Sequence, residues 1–160
     1  MTRNTSEYLP AVLNVVTGAG VLLVSFLVES RLPISKLTAK SLGLSIVFAG
    51  MSLVVSAAGH LKGAFLGEVE PRLDVLVKQG PYRFVRHPVY LGMTIALFGA
   101  AFTIRSWPGL IGTLLIFLPS EIHRAKLEEA ALARKFGDEW ERYSSQTGFF
   151  LPSLKSLRPR

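Results

Sequence analysis

From Leu76 to Gly92 the sequence reads Leu-Val-Lys-Gln-Gly-Pro-Tyr-Arg-Phe-Val-Arg-His-Pro-Val-Tyr-Leu-Gly. Tyr82, Arg83, Arg86, His87 and Tyr90 fall within nine residues of it. Two guanidiniums, an imidazole and two phenols at the mouth of an apolar helix are groups that can hold an anionic or polar ligand. Gly80-Pro81 predicts a turn, because glycine reaches backbone angles closed to other residues and proline presets φ for a turn. Pro88 opens the next apolar run, where its missing N–H costs nothing in the first helical turn. A plainer reading is that Arg83 and Arg86 touch lipid phosphates while His87 only caps the helix.

A second set lies on Glu121-Ile-His-Arg-Ala-Lys-Leu-Glu-Glu-Ala-Ala-Leu-Ala-Arg-Lys-Phe136, a strong helix former that ends at Gly137. At about 100° per residue Glu121, Arg124 and Glu128 share a narrow arc with Ala125 and Leu132, whereas Glu129 points about 100° away from Glu128. The neighbouring carboxylates therefore do different jobs. Glu121 and Arg124 stand within one turn of an apolar run, where an unpaired charge is costly and a paired or functional role is expected. The plain alternative is a surface Arg124–Glu128 pair worth roughly 0.2–0.5 kcal/mol.

The elements that must position these residues read as membrane helices. The 160 residues are 49% hydrophobic, with a mean hydropathy of +0.38, and the apolar residues bunch in uncharged runs. Pro10–Val28 and Ser41–Gly59 are each 19 residues long, roughly 28 Å as helices at 1.5 Å per residue. Pro88–Ile104 (17 residues) and Ser106–Ser120 (15 residues), parted only by Arg105, predict a tight helical hairpin over 88–120, followed by a cytosolic carboxy-terminal helix. The expected fold is all-α: a polytopic membrane protein with about four transmembrane helices in one domain. Within it, 1–59 holds two spans, 60–87 is a cytosolic connector with the ligand loop, and 88–160 is the hairpin, helix and tail. The first run is too long for a signal peptide and no small-residue cleavage site follows it, so it is expected to be retained.

Charge placement sets the orientation. The net charge is +7, and of 18 Lys and Arg, five lie in 60–87 and eight in 123–160. By the positive-inside rule these segments, both termini and the polar loop face the cytoplasm. The basic excess is topological, and no nucleic-acid partner is expected. With no cysteine in the chain, disulfides, thiolate nucleophiles and thiolate metal sites are excluded. His60, His87 and His123 lie in separate segments without metal-ligand spacing, so no metal is expected.

The small residues Asn14, Thr17, Gly18, Gly20 and Ser25 in the first run, and Gly43, Ser45, Gly50, Ser52 and Ser56 in the second, predict close helix packing. Ser106 before Trp107-Pro108 predicts a helix start, and Pro119 a kink. Trp140 and Tyr143 suit a membrane interface or a lid on a cytosolic pocket. Phe149-Phe150-Leu151-Pro152 is apolar enough to dock on the body, and Lys155, Arg158 and Arg160 make a basic end suited to anionic lipid.

Gly80-Pro-Tyr-Arg-Phe-Val-Arg-His-Pro-Val-Tyr-Leu-Gly92, Ser106-Trp107, Arg124 with Glu128-Glu129, and Phe136-Gly-Asp-Glu-Trp-Glu-Arg-Tyr143 together resemble the isoprenylcysteine carboxyl methyltransferase family and, more distantly, the phospholipid N-methyltransferases. The resemblance covers about residues 73–152. It implies an integral-membrane enzyme that moves a methyl group from S-adenosylmethionine (SAM) to a lipophilic acceptor such as an isoprenylcysteine-type carboxylate. Carried over by position, Gly80, Tyr82, His87, Tyr90, Glu128 and Glu129 would bind the cofactor. Arg86, Arg124 and Glu128 would be the catalytic set, the arginines as charge partners or acceptor contacts. The amino-terminal half matches nothing specific, and Phe149-Phe150 departs from the family's basic or polar residue near the end.

The chemistry is compatible with that reading. The donor carries a sulfonium, an ammonium and a carboxylate, so a site needs both carboxylates and a cation, and both are present. A carboxylate acceptor is already nucleophilic, whereas an amine must lose a proton, a task for Glu128, Glu129 or His87. Two other readings stand beside it. One is an NADPH-dependent membrane reductase of sterol or polyprenoid double bonds, which a larger phosphate-binding basic cluster than Arg83, Arg86 and Arg124 would favour, and the sequence shows none. The other is a non-catalytic lipid-binding membrane protein. The angular separation of the two carboxylates predicts that Glu128→Gln and Glu129→Gln lower SAM affinity unequally; equal losses by calorimetry would count against the facing argument.

Overall fold

The computed structural model describes residues 9–61 and 75–154. Most of the expected 60–79 connector and the basic end at Lys155, Arg158 and Arg160 lie outside the described residues. Among them the chain is helical, with isolated bridges Arg31–Ser106 and Val85–Gly148 in place of strands. In order come α1 (Leu9–Leu27), α2 (Lys36–His60), a short 3-10 turn (Gly80–Arg83), α3 (Pro88–Thr103), α4 (Trp107–Gly112), a π-helical turn (Thr113–Phe117), α5 (Leu118–Phe136) and α6 (Asp138–Ser144).

Among the described residues, helix α2 alone is long and apolar enough to cross a bilayer, at 25 residues, while Val12–Leu27 and Pro88–Thr103 are shorter apolar helices. It begins five residues before the uncharged run does, at Lys36. The Ser35 side chain accepts the Thr38 N–H at 3.0 Å, and the long stems of Lys36 and Lys40 let a helix start while their charges stay hydrated.

Small residues set much of the packing, but not all those expected take part: Ser45, Ser52 and Ser56 are exposed, and a Cβ at Gly20 would meet nothing within 4 Å. On α2 the buried positions are Ala39, Gly43, Gly50 and Ala57, and this stripe meets Gly92 and Gly99 of α3. A Cβ at Gly50 would lie 2.6 Å from both the Ala96 nitrogen and the Gly92 oxygen, and one at Gly92 would lie 2.7 Å from the Gly50 oxygen. The two backbones touch where any side chain would hold them apart. On α1 the inward stripe is Asn14, Gly18, Val21 and Ser25, with Phe117 against Gly18. The opposite faces expose Val15, Phe26, Leu37, Phe48 and Val55.

At the end away from the polar loop, the connections knit together by backbone bonds: Leu32 N–H to Arg105 O at 2.7 Å and Trp107 N–H to Ser30 O at 3.2 Å. Ser106 caps α4, accepting the Gly109 N–H at 3.1 Å as expected. The chain then stays helical from Trp107 to Phe136. The irregularity expected at Pro119 falls just before it, where Leu118 N–H reaches back to Thr113 O in a π turn. Proline has no N–H for the carbonyl four residues back and its ring crowds it, so widening the preceding turn relieves both.

Gly50→Ala should lower stability by about 1–3 kcal/mol, because the added carbon meets backbone that cannot rotate away. Thermal unfolding in detergent measures this, and an unchanged midpoint would contradict the close approach of α2 and α3.

Candidate functional site

The site is assembled from the loop before α3, the middle of α5 and the segment after α6. Gly80 takes φ +58°, the left-handed region that glycine enters without penalty. A Cβ there would lie 2.3 Å from the Nε2 atom of His60, so the turn is seated on the last residue of α2. Tyr82 then packs among Ala57, Val89, Leu61, Val77, Tyr90 and Met93, and its carbonyl accepts the Tyr143 hydroxyl at 2.8 Å. Burial first, then the charge of Glu128, raises the Tyr82 phenol far above its ordinary range. It is held protonated.

Residues 84–87 pair with residues 148–149 through backbone bonds, with a single bridge between Val85 and Gly148. Arg86 N–H donates to Gly148 O at 2.8 Å and Gly148 N–H to Phe84 O at 3.3 Å. Arg86 Nε donates to Glu129 Oε1 at 2.6 Å, and Nη1 donates to the carbonyls of Ser144 at 2.8 Å and Thr147. One guanidinium thus binds three segments. His87, 3% exposed, lies 3.1 Å through Nε2 from the same Glu129 oxygen, with Nδ1 3.8 Å from Glu128 Oε2. Since a carboxylate only accepts, Nε2 carries the proton in this contact. The imidazole stacks on Tyr90 (5.7 Å) and lies 4.9 Å from the Phe149 ring. The Tyr90 hydroxyl donates to Glu128 Oε2 at 2.8 Å, and the Arg124 guanidinium lies 5.3 Å from the centre of the Tyr90 ring.

Of the residues singled out from sequence, Arg86, His87, Tyr90, Arg124, Glu128 and Glu129 meet. Gly80 and Tyr82 hold the loop against α2, with Tyr82 packed beside Tyr90 at the edge of the charged cluster. Exposed Arg83 lies over its neighbour Phe84. The two carboxylates take different hydrogen bonds, Glu129 with Arg86 and His87 and Glu128 with Tyr90, while both flank the His87 ring. Arg124 stacks on Tyr90 instead of forming the surface pair with Glu128. Trp140 and Tyr143 do not form an exposed interface belt: they are buried with Leu76, Leu132 and Phe136 in a small core, and the Tyr143 hydroxyl is turned inward to Tyr82. Phe149 was legible only as apolar and fit to dock. Its place beside His87 and under Arg86, 5.6 Å from ring centre to guanidinium, follows from backbone pairing that no local pattern encodes.

The donor set suits SAM. Glu129 uses Oε1 for both its bonds and Glu128 uses Oε2, which leaves a second oxygen on each for cationic groups. Their side chains remain 23% and 34% exposed, so a ligand can reach them.

The described elements define a helical protein with a charged site between the mouth of one apolar helix and the flank of another. The sequence profile of phospholipid methyltransferases matches residues 38–139, and the chain belongs to that family. It is 30% identical to methanethiol S-methyltransferase of Pseudomonas deceptionensis over 142 residues, 80% of this chain and 49% of that protein. It is also 35% identical to the lamin-B receptor of Drosophila melanogaster over 83 residues, 49% of this chain and 11% of that one. A third relative, methanethiol S-methyltransferase 1 of Bradyrhizobium diazoefficiens, is 32% identical over 78 residues, 48% of this chain and 26% of the relative. The chain spans at most about half the length of these relatives.

Burial pushes the Glu129 carboxyl up, but hydrogen bonds from His87 and Arg86 outweigh it and hold the group below its ordinary 4.5. A lowered folded pKa means stability that is complete above about pH 4.5 and lost as pH falls through the folded value. Glu129→Gln should cost about 1–2 kcal/mol near neutrality, less than for a fully buried pair because the side chain is partly exposed. The gap in melting temperature between wild type and variant should close in acid; a gap constant down to the lowest accessible pH would refute the pairing.

Proposed function

We propose that the protein is an integral-membrane, SAM-dependent methyltransferase that acts on a lipophilic acceptor, with its site facing the cytoplasm. The observation that carries the reading is the convergence of Arg86, His87, Tyr90, Glu128 and Glu129 at the mouth of α3 in a member of the phospholipid methyltransferase family. In this reading Glu128 and Glu129 take the sulfonium and ammonium of the cofactor, His87 holds Glu129 in place for it, and Arg124 takes its carboxylate. Arg86 fixes the loop on α5, and Tyr90 orients Glu128. When bound, the cofactor supplies an electrophilic methyl group. The chain aligns the acceptor with it, and alignment alone supplies much of the acceleration in such displacements.

The membrane placement is supported by α2, by the shorter apolar stretches of α1 and α3, and by the outward apolar faces of α1 and α2. We read the four spans as α1, α2, α3 and the helix of residues 106–120, with both termini inside. An isoprenylcysteine-type carboxylate and a small lipophilic thiol both suit an apolar approach from the bilayer, and the names of the two bacterial relatives favour the thiol.

Calorimetric titration of the detergent-purified protein with S-adenosylhomocysteine and, separately, NADPH tests the reading. The expected result is binding of the first alone, weakened tenfold or more by His87→Ala. Binding of NADPH alone would replace it with a reductase, and binding of neither by well-folded protein would leave a non-catalytic lipid-binding role.

A further inference from the structure

Asn14 on α1 and Glu121 and Arg124 on α5 carry buried polar atoms that neither the helix contacts nor the cluster around His87 satisfy. Asn14 on α1 is 2% exposed and Glu121 on α5 is 0% exposed. The Ser120 hydroxyl donates to Asn14 Oδ1 at 2.6 Å and ties the helices together at this level. Asn14 Nδ2, both oxygens of Glu121 and Nε of Arg124 are buried without a hydrogen-bond partner among the described residues. Leaving such groups unmatched costs about 1–3 kcal/mol each, and α1 carries no charged residue from Leu9 to Leu27 that could offset it. Arg124 adjoins the other cluster through one ring: it lies over Tyr90 and the Tyr90 hydroxyl bonds Glu128. The Glu121 carboxyl is within electrostatic reach of both Arg124 and Tyr90.

We propose that Glu121, with Asn14 orienting the substrate, is the proton acceptor for a lipophilic thiol that this protein methylates. The inference rests on the methyltransferase reading and deepens it by naming the acceptor class. A carboxylate acceptor needs no base, and Glu121 would repel it in an apolar setting. An ammonium would have to enter that setting charged. A thiol enters neutral and becomes a strong nucleophile only when its proton leaves. In the step, the thiol S–H bond breaks and its proton passes to Glu121. The sulfur pair forms the new S–CH3 bond while the sulfonium C–S bond breaks, its pair staying on the departing thioether. Protonated, the buried carboxyl no longer carries a charge that its surroundings disfavour.

The test uses the full chain in detergent, 1-hexanethiol as acceptor and SAM as donor. Glu121→Gln should bind S-adenosylhomocysteine within twofold of wild type, yet methylate the thiol about 100-fold more slowly near pH 7, the scale of lost general base catalysis. The deficit should shrink as rising pH ionises the thiol in solution. Independently of turnover, an infrared carboxyl band that titrates in wild type should be missing from the variant. An equal rate, a deficit constant with pH, or the absence of such a band overturns the proposal. Should the variant not fold, wild type decides: an acid limb in kcat/KM for hexanethiol that is absent for an aromatic thiol already ionised supports it, and superimposable profiles overturn it. Binding of S-adenosylhomocysteine without turnover of any thiol would overturn this inference alone, whereas no binding at all would overturn the methyltransferase reading beneath it.

Discussion

The hydrogen-bonded ion pair between Arg86 and Glu129 is the constraint on which the site depends. A guanidinium and a carboxylate withdrawn this far from water each need partners, and a charge-assisted bond is roughly twice as strong as a neutral one. Arg86 meets that need by spending Nε on α5 and Nη1 on the carbonyls of Ser144, the last residue of α6, and Thr147 beyond it. Three stretches far apart in sequence are thereby fixed to one planar group. His87, next in the chain, is then carried against the same carboxylate oxygen, with its ring between Tyr90 and Phe149. Removing the pair would free the loop, the helix flank and the tail together.

The pair can act only because a rigid platform holds the two ends of its span. The glycine stripe shared by α2 and α3 brings their backbones into contact, which fixes Pro88 and therefore the height of the loop before it. Gly80 seats the loop's other end on His60, at the last turn of α2. The small core of Leu76, Trp140 and Tyr143 clamps α6 beneath it, with the Tyr143 hydroxyl reaching the Tyr82 carbonyl. Each contact is modest, yet together they leave the loop little freedom. This is the condition for a preorganised site.

Much of this was legible in short-range pattern. The turn at Gly80-Pro81, the helix starts at Pro88 and Ser106 and the helix end at Gly137 all follow from local chemistry. The small residues of α2 announced close packing, although not that Gly50 would meet Gly92. Other assignments failed for a physical reason. Trp140 and Tyr143 looked interfacial because aromatic residues near a polar end suit a membrane surface, but a buried hydroxyl goes where an acceptor awaits it. Gly80 and Tyr82, expected as ligand contacts because they share a motif with His87, also hold the loop on α2, a role that the motif alone does not reveal. Asn14 stood out only as a polar residue in an apolar run, with nothing local to say what it would face.

What the sequence determined by itself is therefore the set of helices, their caps and breaks, and which residues share a helical face, because these depend on neighbours within a turn or two. The tertiary structure alone decided which faces meet. It put Phe149 beside His87, gave both bonds of Glu129 to a loop more than forty residues away, and set Asn14 of the first helix at the level of Glu121. Those pairings depend on backbone contacts between distant segments, and on buried charges finding partners once the helices have closed.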